Sequence, residues 1–268
     1  MRTRPPAKPG IKVLVMWTGI KDFQNPTSLA AAYQAARAPG SAYITGGTYL
    51  LAERPPDVST LINIKPLLAA EFSGGDQAWE LGAGMTLQQL ASGGPGVWGA
   101  LALAAANSCA SQNIRNQRTL GGEVARGRTD SDLLVLLHAL KVRLTLATPD
   151  DTEGSLDSRD DGDLISAIKV EREALSKAAV ERFALLPSAR PFVVVAGACH
   201  GDQLNLAAGG ATGRIASAGL AIDGLDTQAV EAVAKVLAEP FTSDHHGSRE
   251  YKQALIGTAI RRIGSRVC

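Results

Sequence analysis

The chain has little cysteine, and its cysteines are scattered. Its 268 residues include only Cys109, Cys199 and Cys268, and no two of them form a Cys-x-x-Cys pair. Iron–sulfur and structural zinc sites need several closely spaced cysteine or histidine ligands, so we expect this chain alone to build neither. A sparse, odd cysteine count is typical of a reducing compartment, and we therefore predict a cytoplasmic location.

The sequence also lacks a charge excess and a long hydrophobic run. It carries 27 basic and 26 acidic side chains, for a formal net charge of +1. A dedicated nucleic-acid-binding protein usually has a basic excess, so nucleic acid is not an expected partner. No stretch approaches about 18 uninterrupted apolar residues, so no membrane span is predicted. Residues 11–17 are too short a run for a signal-peptide core and predict a strand or extended segment.

The familiar motifs of catalytic and nucleotide-binding sites are incomplete. Residues 82–84 begin a Gly-x-Gly-x-x-Gly fingerprint, but Leu87 stands where the third glycine belongs. The sequence has no Walker A lysine and no Gly-x-Ser-x-Gly elbow. His245 and His246 are adjacent, so they cannot share one helix face toward a metal. We predict no catalytic residue and no metal ligand in this chain.

Composition and periodicity predict an α+β fold. Strands are expected over residues 42–45, 61–64, 78–81, 141–147, 164–170, 192–199, 203–207 and 214–222. Helices are expected over residues 29–37, 86–91, 97–106, 132–140, 227–238 and 248–263. Residues 107–117 are expected to form a polar loop. Residues 149–163 combine seven acids and one arginine with Gly, Ser and Pro, which predicts an exposed loop and a domain boundary.

Two glycine pairs, each preceded by a threonine, are the best candidates for a binding site. The first is Thr45-Gly46-Gly47-Thr48, and the second is Thr119-Leu120-Gly121-Gly122. Paired glycines let the backbone approach a ligand closely and present its N–H groups to an anion, and threonine hydroxyls add hydrogen bonds. Arg115 would supply positive charge. The pattern therefore favours a diphosphate cradle, although a single Gly-Gly is also compatible with a simple turn.

At these residues the chain resembles the FAD-binding (medium) subunit of the molybdenum hydroxylases, the family of xanthine dehydrogenase and aerobic carbon monoxide dehydrogenase. The resemblance runs over about residues 20–263. Its motifs are Pro26-Thr27-Ser28-Leu29, Thr45-Gly46-Gly47-Thr48-Tyr49-Leu50, Leu61-Ile62-Asn63-Ile64, Ile114-Arg115-Asn116, Thr119-Leu120-Gly121-Gly122-Glu123, Ser131-Asp132-Leu133, and Asp244-His245-His246-Gly247-Ser248 with Tyr251-Lys252. Because the motifs occur in the family's order, the sequence is identified as a member.

The resemblance implies a two-subdomain, PCMH-like FAD-binding domain followed by a smaller C-terminal domain of sheet plus helices. We place the first domain at residues 1–160, with subdomains of about 1–70 and 71–160, and the second at 161–268. In the family the two glycine loops hold the FAD diphosphate and the Ser-Asp segment contacts the cofactor. The implied cofactor-binding residues are Thr45, Gly46, Gly47, Thr48, Tyr49, Ile114, Thr119, Gly121, Gly122, Glu123 and Asp132.

The implied role is electron transfer. A partner large subunit is expected to carry the molybdenum cofactor, a small subunit two [2Fe–2S] clusters, and this chain FAD, with NAD⁺ or another acceptor receiving the electrons. A stand-alone flavin oxidoreductase and a flavin-free assembly subunit stay open as alternatives. The chain departs from the family at two places. Tyr49 replaces a small or acidic residue and would stack near the flavin or adenine, and residues 183–186 lack a cation that many members place near the cofactor.

Overall fold

A computed structural model describes residues 17–93, 98–148, 152–160 and 162–268. Its strands are β1 (Asp22–Gln24), β2 (Ser41–Ile44), β3 (Thr60–Asn63), β4 (Phe72–Gly74), β5 (Ala78–Gly82), β6 (Arg143–Leu146), β7 (Thr152–Ser155), β8 (Ile165–Glu171), β9 (Ala178–Phe183), β10 (Val193–His200), β11 (Gln203–Gly210) and β12 (Ala216–Ala221). The strand expected over residues 11–17 lies, except for Trp17, outside the described residues.

Helices alternate with these strands. They are α1 (Leu29–Ala35), α2 (Leu50–Glu53), α3 (Leu87–Ala91), α4 (Gly99–Asn107), α5 (Gln112–Arg115), α6 (Leu120–Arg126), α7 (Asp132–Ala139), α8 (Arg172–Ser176), α9 (Thr227–Leu237) and α10 (Arg249–Val267). Ser28, Thr86, Thr119, Ser131 and Ser248 begin five of them, because each side-chain oxygen accepts a backbone N–H three residues on. Small hydroxyl residues thus fix where the chain turns into a helix, including two places beside the candidate site.

The first sheet is a parallel β-α-β unit. β1, β3 and β2 lie side by side in that order and run parallel, with Asp22 and Ser41 both aligned to Thr60. Parallel strands need crossover connections: α1 links β1 to β2, and α2 links β2 to its neighbour β3. The carboxyl end of β2 leads directly into the first glycine pair, so this small sheet presents that pair at its edge.

The second sheet is antiparallel and has the order β4-β5-β8-β6-β7. β8 pairs with β5 from Ala78↔Glu171 to Gly82↔Ala167, and with β6 on its other side. β8 therefore joins the sheet of the preceding segment, although it follows the boundary that we predicted between residues 160 and 161. That boundary stays a prediction. No helix in the described part of the chain is long and apolar enough to cross a membrane.

The third sheet has the order β12-β11-β10-β9 and is covered on both faces. Val193 and Val195 of β10 belong to one core with α9 and α10, while Val194 and Ala196 belong to the main core with α7. Side chains alternate between the faces of a strand, so a strand buried on both faces is apolar throughout. This explains the unbroken apolar run that predicted β10.

Two segments expected to be loops contain regular structure. Within residues 107–117, Ser111 accepts the Ile114 N–H and starts the single turn α5. Within residues 149–163, β7 pairs with β6 from Leu146↔Thr152 to Arg143↔Ser155. Both expectations were wrong there for one reason. Polar composition favours a loop. In these two segments, however, the cap residue Ser111 and the neighbouring strand β6 satisfy backbone hydrogen bonds and stabilise α5 and β7.

Candidate functional site

The fold brings the two glycine pairs together. The first follows β2 directly, and the second lies in the first turn of α6 rather than in a loop. The hydroxyl oxygens of Thr45 and Thr119 are 2.9 Å apart, although the residues are 74 positions apart in sequence. A cavity of about 190 Å³ lies between the pairs. Its lining includes Thr45, Gly46, Gly47, Thr48, Tyr49, Arg118, Thr119, Gly122 and Arg126.

Glycine is required in the first pair for two reasons. A Cβ on Gly46 would lie 1.7 Å from the backbone oxygen of Gln117, so only glycine lets these two backbone segments touch. Gly47 has a φ of +66°, in the left-handed region that side chains disfavour. The first pair therefore fixes the distance between the two halves of the site.

The glycines of the second pair have different surroundings. A Cβ on Gly121 would lie 2.8 Å from the Cβ of Ala83, so Gly121 serves packing and does not line the cavity. A Cβ on Gly122 would instead lie 3.0 Å from the Thr119 hydroxyl and 3.7 Å from the Thr45 hydroxyl. The bare Cα of Gly122 thus leaves open the space in front of both hydroxyls.

Tyr49 is held among arginines at the end of the first pair. The Arg118 guanidinium carbon lies 4.1 Å from the centre of the ring. The Tyr49 hydroxyl accepts a hydrogen bond from Arg128 Nη1 at 2.9 Å and donates one to Glu123 Oε2 at 3.3 Å. Burial, followed by the charge of Glu123, raises the pKa of the Tyr49 phenol above its ordinary value, so the hydroxyl keeps its proton. The Arg118 guanidinium covers one face of the ring, and the Tyr49 side chain also lines the cavity between the glycine pairs, so stacking on a ligand stays a prediction.

Glu123 is fully buried behind Tyr49. Its Oε2 lies 3.6 Å from Arg118 Nη1, and the Arg118 side chain is itself only 9% exposed. Among the described residues, the other carboxylate oxygen of Glu123 has no hydrogen-bond partner. A buried acceptor without a donor is costly, and it fits a site in which a ligand hydroxyl completes the network.

Two further cavities adjoin the first, and we call the three together the cleft. One, of about 540 Å³, shares Tyr49, Glu53 and Arg126 with the first cavity and extends to the turn at residues 210–213. The other, of about 220 Å³, contains the predicted residue Ile114. Arg118, Arg126, Arg128 and Arg190 line the cleft. Such a concentration of guanidinium groups suits phosphate or another multiply charged anion.

Most of these arginines were not predicted from the sequence. Arg115, which we expected to supply charge, donates instead to the Cys109 backbone oxygen at 2.7 Å and to Gln88 Oε1 at 3.0 Å, and does not line the cleft. Residues 183–186 supply no cation, but Arg190 on the same connection does line the cleft. The available signal was the spacing of Arg126 and Arg128, just after the second glycine pair.

Asp132 lies behind the wall of the cleft rather than on it. Its side chain is 0% exposed, and its Oδ2 lies 3.1 Å from Nε of Arg182 on β9. Burial raises the pKa of this carboxyl to about 6, which the charge of Arg182 and a hydrogen bond from Asn107 oppose. The resemblance implied a cofactor contact at this residue. The structure instead places its carboxylate against an arginine of the C-terminal segment.

The cleft fits the FAD that the resemblance implies. Thr45, Thr119 and the open face of Gly122 form a cradle of hydroxyl and backbone groups, and Arg126 borders it. The cavity of about 220 Å³ continues from the cradle past Arg118 and gives an elongated ligand room beyond its phosphates. With FAD bound, these residues would hold its diphosphate and hydroxyl groups, and the flavin would supply the redox chemistry.

Comparison with known proteins agrees with this reading of the cleft. Residues 19–157 match the family model described as the FAD binding domain in molybdopterin dehydrogenase. That segment contains both glycine pairs and Asp132. No curated protein sequence matches the chain at a significant level.

Solved structures share the fold along nearly the whole chain. Quinoline 2-oxidoreductase from Pseudomonas putida 86 matches with a TM-score of 0.74 and 20% identity, covering 92% of this chain and 96% of that one. A carbon monoxide dehydrogenase from Hydrogenophaga pseudoflava, which lacks the Mo-pyranopterin moiety of its cofactor, gives 0.74 and 19%, covering 92% and 97%. Reconstituted CO dehydrogenase from Oligotropha carboxidovorans gives 0.75 and 16%, covering 92% and 96%. At these identities the likeness establishes the fold.

Proposed function

The chain belongs to the family of FAD-binding domains of molybdopterin dehydrogenases, and from that premise we propose that it is the FAD-carrying electron-transfer subunit of a molybdenum hydroxylase. It would receive electrons from [2Fe–2S] clusters of a partner subunit and deliver them to NAD⁺ or another acceptor. The observation that carries the proposal is the 2.9 Å contact between Thr45 and Thr119, which joins two threonine–glycine segments around one cavity.

The proposal assigns the cradle residue by residue. Thr45, Gly46, Gly47, Thr48, Thr119 and Gly122 would contact the diphosphate, and Ile114 would contact the ring end of the ligand. Tyr49 and Glu123 would hold the arginines in place, and Gly121 would seat α6 on Ala83. These roles are supported by the lining of the cavities and by the contacts of each side chain.

An anionic electron acceptor is supported by the largest cavity of the cleft. Arg126, Arg128 and Arg190 line it together with the hydroxyls of Thr129 and Thr212. The phosphates of NAD⁺ match such a lining better than an uncharged quinone does, because guanidinium groups bind phosphate oxygens in pairs. We therefore propose a dinucleotide as the preferred acceptor.

The partners follow from what this chain would need to complete a reaction. Its three cysteines are free thiols, fewer than the four that one [2Fe–2S] cluster needs, so the clusters belong on another subunit. The connection that carries Arg190 also exposes Leu185 and Leu186, which are 72% and 63% exposed, and Ile114 nearby is 40% exposed. Apolar side chains beside the cleft support docking of the small iron–sulfur subunit there, with the molybdenum-cofactor subunit behind it. We propose a cytoplasmic complex, in line with the free thiols.

The test is a visible absorption spectrum of the purified chain, followed by mass analysis of the small molecule released on denaturation. Released FAD would support the proposal. A colourless protein that rejects added FAD would overturn it and leave a flavin-free assembly role. NADH-dependent turnover by the isolated chain would instead favour a stand-alone oxidoreductase.

A matched pair of variants tests the cradle itself. Thr45→Val removes one hydroxyl from the cavity and keeps the side-chain shape, so FAD affinity should fall about tenfold, the loss of one charge-assisted hydrogen bond. Thr145→Val is the control, because the Thr145 hydroxyl is buried in β6 and has no partner among the described residues. Equal FAD affinity of the two variants would contradict the assignment of Thr45.

A further inference from the structure

The connection between β9 and β10 forms one wall of the cleft, and we call residues 184–192 the wall loop. Ser188, Ala189, Arg190 and Pro191 line the cavity of about 220 Å³, and Arg190 also lines that of about 540 Å³. Within the loop, Ala189 donates its N–H to the Leu186 oxygen at 3.0 Å. The loop has little other internal structure, so its position depends on what holds it from outside.

Arg182, the residue before the end of β9, holds the wall loop from behind. Its Nη1 donates to the Pro187 backbone oxygen at 2.7 Å, and its Nη2 donates to the Ala189 backbone oxygen at 2.8 Å. Its Nε lies 3.1 Å from Asp132 Oδ2. One guanidinium thus reaches three partners, and only its planar fork allows all three contacts at once.

Asp132 gives Arg182 a fixed anchor. It is the first residue of α7, and the cap residue before it, Ser131, lies 3.2 Å from the Ser108 hydroxyl at the end of α4. Ser108 also accepts the backbone N–H of Leu133 at 3.0 Å. The start of α7 is therefore fixed within the FAD-binding segment, and the carboxylate of Asp132 transfers that fixed position to β9.

The contact is a buried ion pair between Arg182 and Asp132. Asn107 adds a hydrogen bond to the Asp132 carboxylate. A buried ion pair of this kind contributes little net stability, because desolvation offsets the attraction. Its presence beside the cleft is better explained by the position that it imposes on the loop.

We infer that Arg182 is a positioning residue of the cleft, which ties the wall loop to the buried carboxylate of Asp132 and so places Arg190 at the cofactor. Asp132 contributes to the same positioning through its contact with Arg182, and not by contact with the ligand. The inference deepens the proposed function and rests on it, since the cleft is the proposed FAD site. Arg182, which directly precedes residues 183–186 with their missing cation, thus has a positioning role of its own.

The experiment measures hydrogen–deuterium exchange of the wall loop in flavin-free protein. Arg182→Met removes all three contacts, and Asp132→Asn removes only the charge of the anchor. Both should speed exchange of the loop amides, about tenfold for Arg182→Met and less for Asp132→Asn. Arg182→Lys keeps the charge without the fork, so it should restore only part of the protection. Arg143→Met is the control, because Arg143 is 67% exposed on β6 and its ion-pair partner among the described residues is Glu153, far from the wall loop in the sheet order.

Unchanged exchange in Arg182→Met and Asp132→Asn would overturn the inference. Full protection in Arg182→Lys would also overturn it, because charge alone would then suffice. If Arg182→Met fails to fold, the exchange rates of Asp132→Asn and Arg182→Lys, compared with wild type, still test the inference. Faster exchange confined to the wall loop supports the inference, whereas faster exchange along the whole of β9 and β10 assigns Arg182 a general structural role.

FAD titration by flavin fluorescence then separates the inference from the proposed function. If the wild type binds FAD, the affinity should fall about tenfold in Arg182→Met and stay unchanged in Arg143→Met. If the wild type binds no FAD, the proposed function fails, while the exchange result still stands or falls by itself. Tight FAD binding by Arg182→Met with a mobile wall loop would overturn the positioning role.

Discussion

The two walls of the cleft are built by opposite means. Where the two glycine pairs meet, the wall is held mainly by backbone contact: Gly46 lies against the Gln117 oxygen, and Arg118 Nε adds a hydrogen bond to the Thr48 hydroxyl at 3.3 Å. On the other side, the wall loop is held by the buried pair of Arg182 and Asp132. The first wall depends on the absence of side chains, and the second depends on the presence of two charges.

This difference has physical consequences. Backbone packing is insensitive to pH and salt, but it fails if a single methyl group is added. A buried ion pair depends on the ionisation of its carboxylate, and its desolvation offsets much of its attraction. The two walls should therefore respond to different perturbations, which gives direct ways to test the comparison.

The largest effect is expected at Gly46. In Gly46→Ala, the new Cβ would lie 1.7 Å from the backbone oxygen of Gln117, and a backbone atom cannot rotate away. We expect the free energy of unfolding to fall by about 4 kcal/mol, at the upper end of single-substitution effects. Urea denaturation at pH 7 and again at pH 5 should give the same loss relative to wild type.

Gly122→Ala is the matched control. Its nearest neighbour would be the Thr119 hydroxyl at 3.0 Å, the end of a side chain, and the helix accepts alanine. The stability should change little, while the methyl group enters the space in front of the two hydroxyls and weakens FAD binding. A loss of stability as large as that of Gly46→Ala would mean that both glycines serve packing.

The second effect concerns Asp132 and is a dependence on pH. Its pKa lies at about 6 in the folded protein, against 3.8 without perturbation, so folding favours the protonated carboxyl. The Asp132 carboxyl therefore contributes to the free energy of unfolding of the wild type below about pH 4, and this contribution is lost as the pH rises toward and through 6. The shift of about two units corresponds to about 3 kcal/mol.

Asp132→Asn isolates this contribution. Asparagine does not titrate, so the free energy of unfolding of the variant minus that of wild type should rise by about 3 kcal/mol between pH 4 and pH 7. The charged groups that face Asp132 are Arg182, which stays charged throughout, and Asp130, which is common to both proteins. A difference that stays flat with pH would show that Asp132 is ionised in the fold at pH 4.

The comparison also explains what the sequence could predict. Glycine and threonine leave a local signature, so both cradle segments were predictable from Thr45-Gly46-Gly47 and Thr119 with its glycines. The partner of a charged residue leaves no local signature. Nothing in the sequence around Asp132 indicates Arg182, which lies 50 positions later and is brought to Asp132 by the pairing of β9 with β10. For the same reason Arg115 was expected to supply charge to the site, whereas Arg118, three positions later, faces the cleft.

The same distinction between local and long-range signals applies to the strands and helices. Doubly buried β10 and the capped helices α1 and α7 were predictable because their apolar pattern and caps are local. The short β9, in which only Val180 is fully buried, was missed, because its strand geometry is imposed by Val193–His200 beside it. β8 was expected as a strand, but its place between β5 and β6 depends on long-range pairing that periodicity does not encode.

The smallest effect is expected at Tyr49, which lies between the walls. Tyr49→Phe removes the hydrogen bonds to Arg128 and Glu123 but leaves the ring beneath the Arg118 guanidinium. Loss of two partly buried hydrogen bonds should lower the free energy of unfolding by about 1 kcal/mol. Urea denaturation at pH 7 measures it, and Tyr49→Leu, which also loses the cation–π contact, should be the less stable of the two.

The double variant Tyr49→Phe/Asp132→Asn asks whether the walls are independent. Tyr49 reaches toward the second wall through Arg128, which also pairs with Asp130 at 2.6 Å, two residues before Asp132. If backbone contact and buried charge build the walls separately, the two losses should add to within about 0.5 kcal/mol. A larger coupling would mean that the segment from Arg128 to Asp132 moves as one unit, and that a ligand displacing Tyr49 would also shift the wall loop.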